Sequence, residues 1–239
     1  MDLLFAGAAG VLPCLAFGGF AALVVGLIIW GIVRARQERE ALAALAAELG
    51  VRFYAEDPWD LPERYGQFDL FDSGHSKRAT NVLAGDVDGR SMIAFDYSYK
   101  TGSGKDESTY SYQALLLGLP ILAPHLVLRH ESFLDKMAAW VGYENIKFES
   151  TEFSRKYYVK CDVPKFAYDI FHARLIEYLL ACGDAPAMEM RGPLFLVHDS
   201  PRGIEGIRRM LQIGREVVRS IPEYVLNERG QTQPPGAVQ

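Results

Sequence analysis

Between residues 3 and 33 the sequence has no charged residue and no Ser, Thr, Asn or Gln. Such a stretch offers water nothing to bind, which excludes an ordinary surface helix with one polar face. Lys and Arg are also missing before Arg34. A cleaved secretory leader needs a basic start and an apolar segment of about 7–15 residues, so this N-terminus does not fit one. Cysteine is scarce, at 3 in 239 residues, which excludes a disulfide-dense scaffold. Basic residues are not in excess: 25 Lys and Arg face 30 Asp and Glu, and the net charge of −5 argues against a dedicated nucleic-acid binder. What remains is 49% hydrophobic and 23% charged, enough apolar material for one or two globular domains.

The uncharged stretch itself would run about 46 Å as a helix, against a hydrocarbon core of roughly 30 Å. Residues 15–33, LAFGGFAALVVGLIIWGIV, suffice to span, and Pro13 suits the first helical turn. Cys14 follows a proline rather than the small residue of a lipoprotein site, so it reads as a buried apolar residue. Arg34, Arg36 and Arg39 follow the span at once, and Trp30 sits at its boundary. The positive-inside rule then predicts the N-terminus outside and the rest of the chain in the cytoplasm. A reducing cytoplasm would leave Cys161 and Cys182 as free thiols.

Residues 1–33 are thus read as a membrane anchor, 34–50 as a helical stalk, 51–226 as an α+β domain and 227–239 as a disordered tail. The stalk, ARQEREALAALAAEL, is made of strong helix formers, and Gly50 ends it. A strand is expected near 51–55. Alternation around Val82–Val87, the Asp88-Gly89 pair, and the runs Ile93-Phe95-Tyr97-Tyr99 and Tyr110-Tyr112-Ala114-Leu116 predict a three-strand antiparallel meander. A short helix is expected over 131–141 and a strand over 153–161. One helix should follow, capped by Asp162 and ending before Gly183, and then two short strands broken at Gly192-Pro193. A last helix, capped by Ser200, carries a stripe of Ile204, Ile207, Leu211, Gly214, Val218 and Ile221. Helices that do not alternate regularly with strands predict the α+β class: a transmembrane helix followed by an antiparallel sheet with packed helices.

The span, the Arg-flanked stalk and the segment EFSRKYYVKCDVPKFAYDI (residues 152–170) together resemble a bacterial family of membrane-anchored proteins of uncharacterised function. The matching features are the run Phe153–Val159, the Asp162-x-Pro164 turn, and Phe166 with Ala167. The resemblance supplies no catalytic residue and implies no reaction; the predicted topology places the chain in the bacterial inner membrane.

Motifs for chemistry are weak. Gly102–Asp106, GSGKD, lacks the earlier glycine and the following Ser or Thr of a phosphate-binding loop, and it lies in a hairpin. The histidines, at positions 75, 125, 130, 172 and 198, form no His-Glu-x-x-His pattern and have no Cys-x-x-Cys beside them. His125 and His130 should face opposite sides of a strand, so no metal and no cofactor are expected. Asp72–Ser76 and His198-Asp199-Ser200 read as turns and caps. Arg155, Lys156, Lys160 and Lys165 surround Tyr157 and Tyr158, a composition suited to an anionic lipid surface or a partner. The function expected is therefore a single-pass membrane protein whose domain binds a partner or lipid. Its bilayer contact would be through residues 3–33, with a membrane protein as a further partner and no nucleic acid. The alternative is a membrane-tethered hydrolase using the Cys161 thiol with His172 or His198.

Overall fold

Asp88 and Gly89 take φ values of +53° and +73°, the pair of positive angles that a two-residue hairpin of matching twist requires. Around this turn a computed structural model describes residues 8–130 and 145–230, with only the helical backbone given for residues 8–22. The elements are α1 (Ala8–Leu49), β1 (Arg52–Glu56), α2 (Leu61–Arg64), α3 (Asp69–Asp72), β2 (His75–Val87), β3 (Arg90–Thr101) and β4 (Ser108–His130). They continue with α4 (Thr151–Lys156), β5 (Tyr157–Cys161), α5 (Pro164–Ile170), α6 (Ala173–Ala181), β6 (Ala187–Asp199), α7 (Gly203–Arg219) and α8 (Glu223–Arg229). The chain divides into two compact units between Ala41 and Leu42.

In the first unit, the described side chains of α1 from Leu23 to Val33 are apolar or glycine and all exposed. Arg34 places its guanidinium 5.3 Å from the Trp30 ring centre, and Arg36 pairs with Glu40 at 3.0 Å. Among the described residues no helix is long and apolar enough to cross a membrane.

The second unit is the expected α+β arrangement. Its six-stranded antiparallel sheet runs β1-β2-β3-β4-β5, with β6 also paired to β4. The long β4 joins the meander to the rest: residues 108–117 pair with β3, residues 126–130 with β5, and β6 follows residues 113–128. Alternation along the strands sorts side chains into two cores. Leu83, Met92, Ala94, Leu115, Leu117, Phe195 and Val197 face the larger one, with Leu42, Leu45 and Ala46 from the end of α1 and the inner sides of α5, α6, α7 and α8. Val82, Ala84, Ile93, Phe95, Ala114, Leu116 and Leu196 face the smaller one, covered by Leu61, Phe68, Leu70 and Phe71.

The alternation does not run unbroken. Met188 and Met190 face the larger core before Gly192, and Phe195 and Val197 face it afterwards. Gly192 takes φ +55°, and the β4–β6 register shifts on both sides of Ala123. A bulge of this kind moves odd-numbered residues from one face to the other. The expected pair of short strands is instead one strand with an irregularity at the Gly-Pro pair.

Other boundaries also differ from expectation. The strand over 153–161 begins only at Tyr157, because Ser150 accepts a hydrogen bond from the Phe153 N–H at 3.2 Å and starts a helical turn. The single helix after Asp162 is two helices: Val163 occupies the cap position of α5, and His172 caps α6 by accepting from the Leu175 N–H. Asp162 instead donates its N–H to the His125 carbonyl, prolonging the sheet contact. Arg202, not Ser200, precedes α7. The α7 stripe packs as expected, with Ile207, Leu211, Gly214, Val218 and Ile221 in or against the core. Residues 227–229 are helical and Gly230 bridges to Ile121, within the stretch read as tail. The helix expected over 131–141 lies outside the described residues.

Candidate functional site

After the shifts in β4, His125 and Arg129 stand on the sheet face away from the larger core, and Glu189 on β6 lies beside them opposite Val127. The segment between β1 and β2 closes over this face. Asp57 starts it by accepting from the N–H groups of Trp59 (2.9 Å) and Leu61 (2.6 Å). Arg191 donates to the Gln67 carbonyl and tethers its middle. Phe68 and Phe71 enter the smaller core, and the turn between them presents Asp69 to Glu189.

The result is a compact polar group. His125 Nε2 lies 2.8 Å from Glu189 Oε1 and 3.9 Å from Asp69 Oδ1. Arg129 donates to Asp69 Oδ2 at 3.2 Å and lies 4.0 Å from Glu189 Oε2. The Asp69 backbone N–H reaches both Glu189 oxygens, at 3.2 and 3.1 Å. Glu189 is 1% exposed, and the side chains of His125 and Asp69 are 10% and 26% exposed. Burial pushes the Glu189 carboxyl above the usual carboxylate range, opposed first by the hydrogen bond to His125. Asp69, His125 and Glu189 each bring a ligand-type atom within 4.8 Å of the others, the chemistry that holds a divalent cation. The sequence reading missed this set because the residues are 56 and 64 positions apart and because unbroken alternation would have turned them to the other face.

The residues proposed for thiol or histidine chemistry are not brought together. Cys161 packs against the larger core and bonds the Val163 backbone, and burial raises its pKa. His198 lies on the opposite face beside Tyr112, with ring centres 5.6 Å apart. Burial, with the Arg129 charge adding to it, pushes His198 down to about 3. His172 is occupied at both ring nitrogens, by Leu175 N–H and by the Ser220 carbonyl. His75 bonds Ser76 and the Gly102 carbonyl, and Gly104–Asp106 forms a single exposed turn of the β3–β4 loop.

The four basic residues also spread over several elements. Arg155 and Lys156 end α4, Lys160 lies in β5 and Lys165 in α5. Lys156 pairs with Asp184 at 3.2 Å and donates to the Gly183 carbonyl, while Lys165 lies 3.7 Å from both Asp169 and Glu228. Val159 and the inner side of α5 belong to the larger core, so Lys160 and Lys165 leave from opposite faces of the sheet. His125 and His130 do face opposite sides: His130 meets the Tyr157 ring edge-on at 5.7 Å. Cys161 and Cys182 are free.

No family model and no curated protein matches the chain. Among solved structures, the crystal structure of the mycobacterial trehalose monomycolate transport factor A, TtfA, is similar in fold, with a TM-score of 0.56. It is 15% identical in sequence, and the match covers 78% of this chain and 97% of that one. At that identity the likeness carries the α+β architecture.

Proposed function

We propose that this chain is a single-pass protein of the bacterial inner membrane. Residues 3–33 would form the anchor, with the N-terminus outside and the α+β domain in the cytoplasm. The domain acts by holding a partner or a lipid within a lipid-related process, without chemical turnover. The observation that carries the reading is the bare apolar surface of α1. Leu23, Val25, Leu27, Ile28, Ile29, Trp30, Ile32 and Val33 are all exposed, and successive residues of a helix cover every side of it. A helix apolar all round is stable only when surrounded by protein or lipid. The sequence extends that character back to residue 3 without a polar side chain. Arg34, Arg36 and Arg39 supply the orientation. The fold shared with a transport factor supports a binding role for the domain.

Protease added to sealed cells tests both anchor and orientation. The expected result is a domain protected in sealed cells, digested after permeabilisation, and recovered with membranes after a high-salt wash. A domain digested in sealed cells overturns the orientation, and release into the soluble fraction overturns the anchor. Purification in mild detergent, followed by mass spectrometry of co-purifying proteins and lipids, tests the binding role. Reproducible recovery of neither class overturns it.

A further inference from the structure

The group at Asp69, His125 and Glu189 is built in two layers, and the inner layer is shaped for a cation. Asp69 Oδ2 accepts from Arg129, and the Asp69 N–H holds both Glu189 oxygens. Asp69 Oδ1 and Glu189 Oε1 lie 3.9 and 2.8 Å from His125 Nε2, and one ligand atom from each residue lies within 4.8 Å of the others. A metal site needs this division of labour: ligands turned inward, their other atoms fixed by surrounding hydrogen-bond donors. Glu189 is 1% exposed and the His125 side chain 10%, so the three ligand types meet in a largely enclosed place.

We propose that Asp69 Oδ1, His125 Nε2 and Glu189 Oε1 form a binding site for one divalent transition-metal ion of the zinc class. An imidazole and two carboxylate oxygens suit zinc, which takes nitrogen and oxygen ligands at roughly 2.0–2.2 Å. Ligand atoms around such an ion stand about 3.3 Å apart. The 2.8 Å contact between His125 and Glu189 must widen, and the 3.9 Å contact between His125 and Asp69 must close, each by about half an ångström from the present arrangement. Asp69 is the most exposed of the three and sits on a short turn, so the closing movement falls on the segment that covers the site, while the widening falls on the side-chain torsions of His125 and Glu189. Arg129 keeps its place as the outer partner of Asp69. The site lies on the face opposite the larger core and does not depend on the membrane reading.

The test is a titration of the full chain, purified in mild detergent and stripped with chelator, with zinc chloride at pH 7.5. Calorimetry gives affinity, and elemental analysis after desalting gives stoichiometry. The expected result is one zinc per chain, weakened at least about 10-fold in His125→Gln and in Asp69→Asn. His130→Gln, on the other face of the sheet, should bind as the parent does. Zinc should also raise the melting temperature of the parent and leave that of Asp69→Asn unchanged. Asp69 is partly exposed, so this variant keeps the test usable if His125→Gln does not fold. Absence of zinc binding by the folded parent overturns the site, and so does binding undiminished in both variants. Equal affinity for magnesium also overturns it, because an imidazole ligand disfavours that ion.

Discussion

The backbone N–H of Asp69 donates to both carboxylate oxygens of Glu189, across 120 residues of sequence. This contact ties the covering segment to β6 and gives the buried carboxylate two of its hydrogen bonds. Glu189→Ala leaves that N–H and His125 without this buried acceptor and removes the charge near Arg129, a loss of about 3–5 kcal/mol. Glu189→Gln keeps a carbonyl oxygen for the N–H and removes a charge that burial already disfavours, so it should cost much less. Urea unfolding of the full chain in mild detergent compares the two. Equal losses would show that the charge itself, not the acceptor, holds the segment.

Acid should destabilise the domain through His198. Its folded pKa of about 3 lies below the ordinary 6.5, so the folded state refuses a proton that the unfolded chain accepts. This contribution is present above pH 6.5 and is lost as the pH falls from there toward 3. Between pH 7 and pH 5 the loss is about 2 kcal/mol, at 1.36 kcal/mol per pKa unit. His198→Gln should lose less stability over the same interval by that amount. A variant with the parent's full pH dependence would place the acid sensitivity elsewhere.

The buried side of α7 should tolerate little. Leu211 is buried, and Leu211→Asp sets a carboxylate into the larger core at a cost of several kcal/mol. A Cβ on Gly214 would lie 2.7 Å from Leu117 Cδ1, so Gly214→Ala should cost about 1–3 kcal/mol by overpacking. Arg215 pairs with Asp88 at 2.7 Å near the surface, and Arg215→Ala should cost about 1 kcal/mol or less. Thermal melts of the three variants check the order. A Leu211→Asp that melts like the parent removes α7 from the core.

Arg209 joins three chain segments, through Asp199 Oδ2 at 3.2 Å, the Cys182 carbonyl at 3.2 Å and the Asp184 carbonyl. Arg209→Ala should cost about 1–3 kcal/mol, because hydrogen bonds to a charged group are the stronger kind. Hydrogen exchange should quicken first at the turn after α6. Unchanged exchange there would make Arg209 a surface residue in energetic terms.

The sequence by itself determined the elements whose signals are local. The Asp88-Gly89 pair and its flanking alternation fixed the meander, because only positive φ at both turn residues matches the strand twist. The α7 stripe fixed that helix and its buried side, and composition alone determined the uncharged stretch over residues 3–33. Tertiary structure decided the rest. His172 divides one expected helix into two because its ring finds the Ser220 carbonyl, 48 residues away. The polar site depends on the register shifts in β4 and on Gly192, which exchange the faces of both strands midway. Period-two reading carries no mark of where such an exchange falls, since a shift of one residue reverses every side chain beyond it. His125 and Glu189 therefore looked like unrelated residues on separate strands, and only the bulged pairing of β4 with β6 set them 2.8 Å apart.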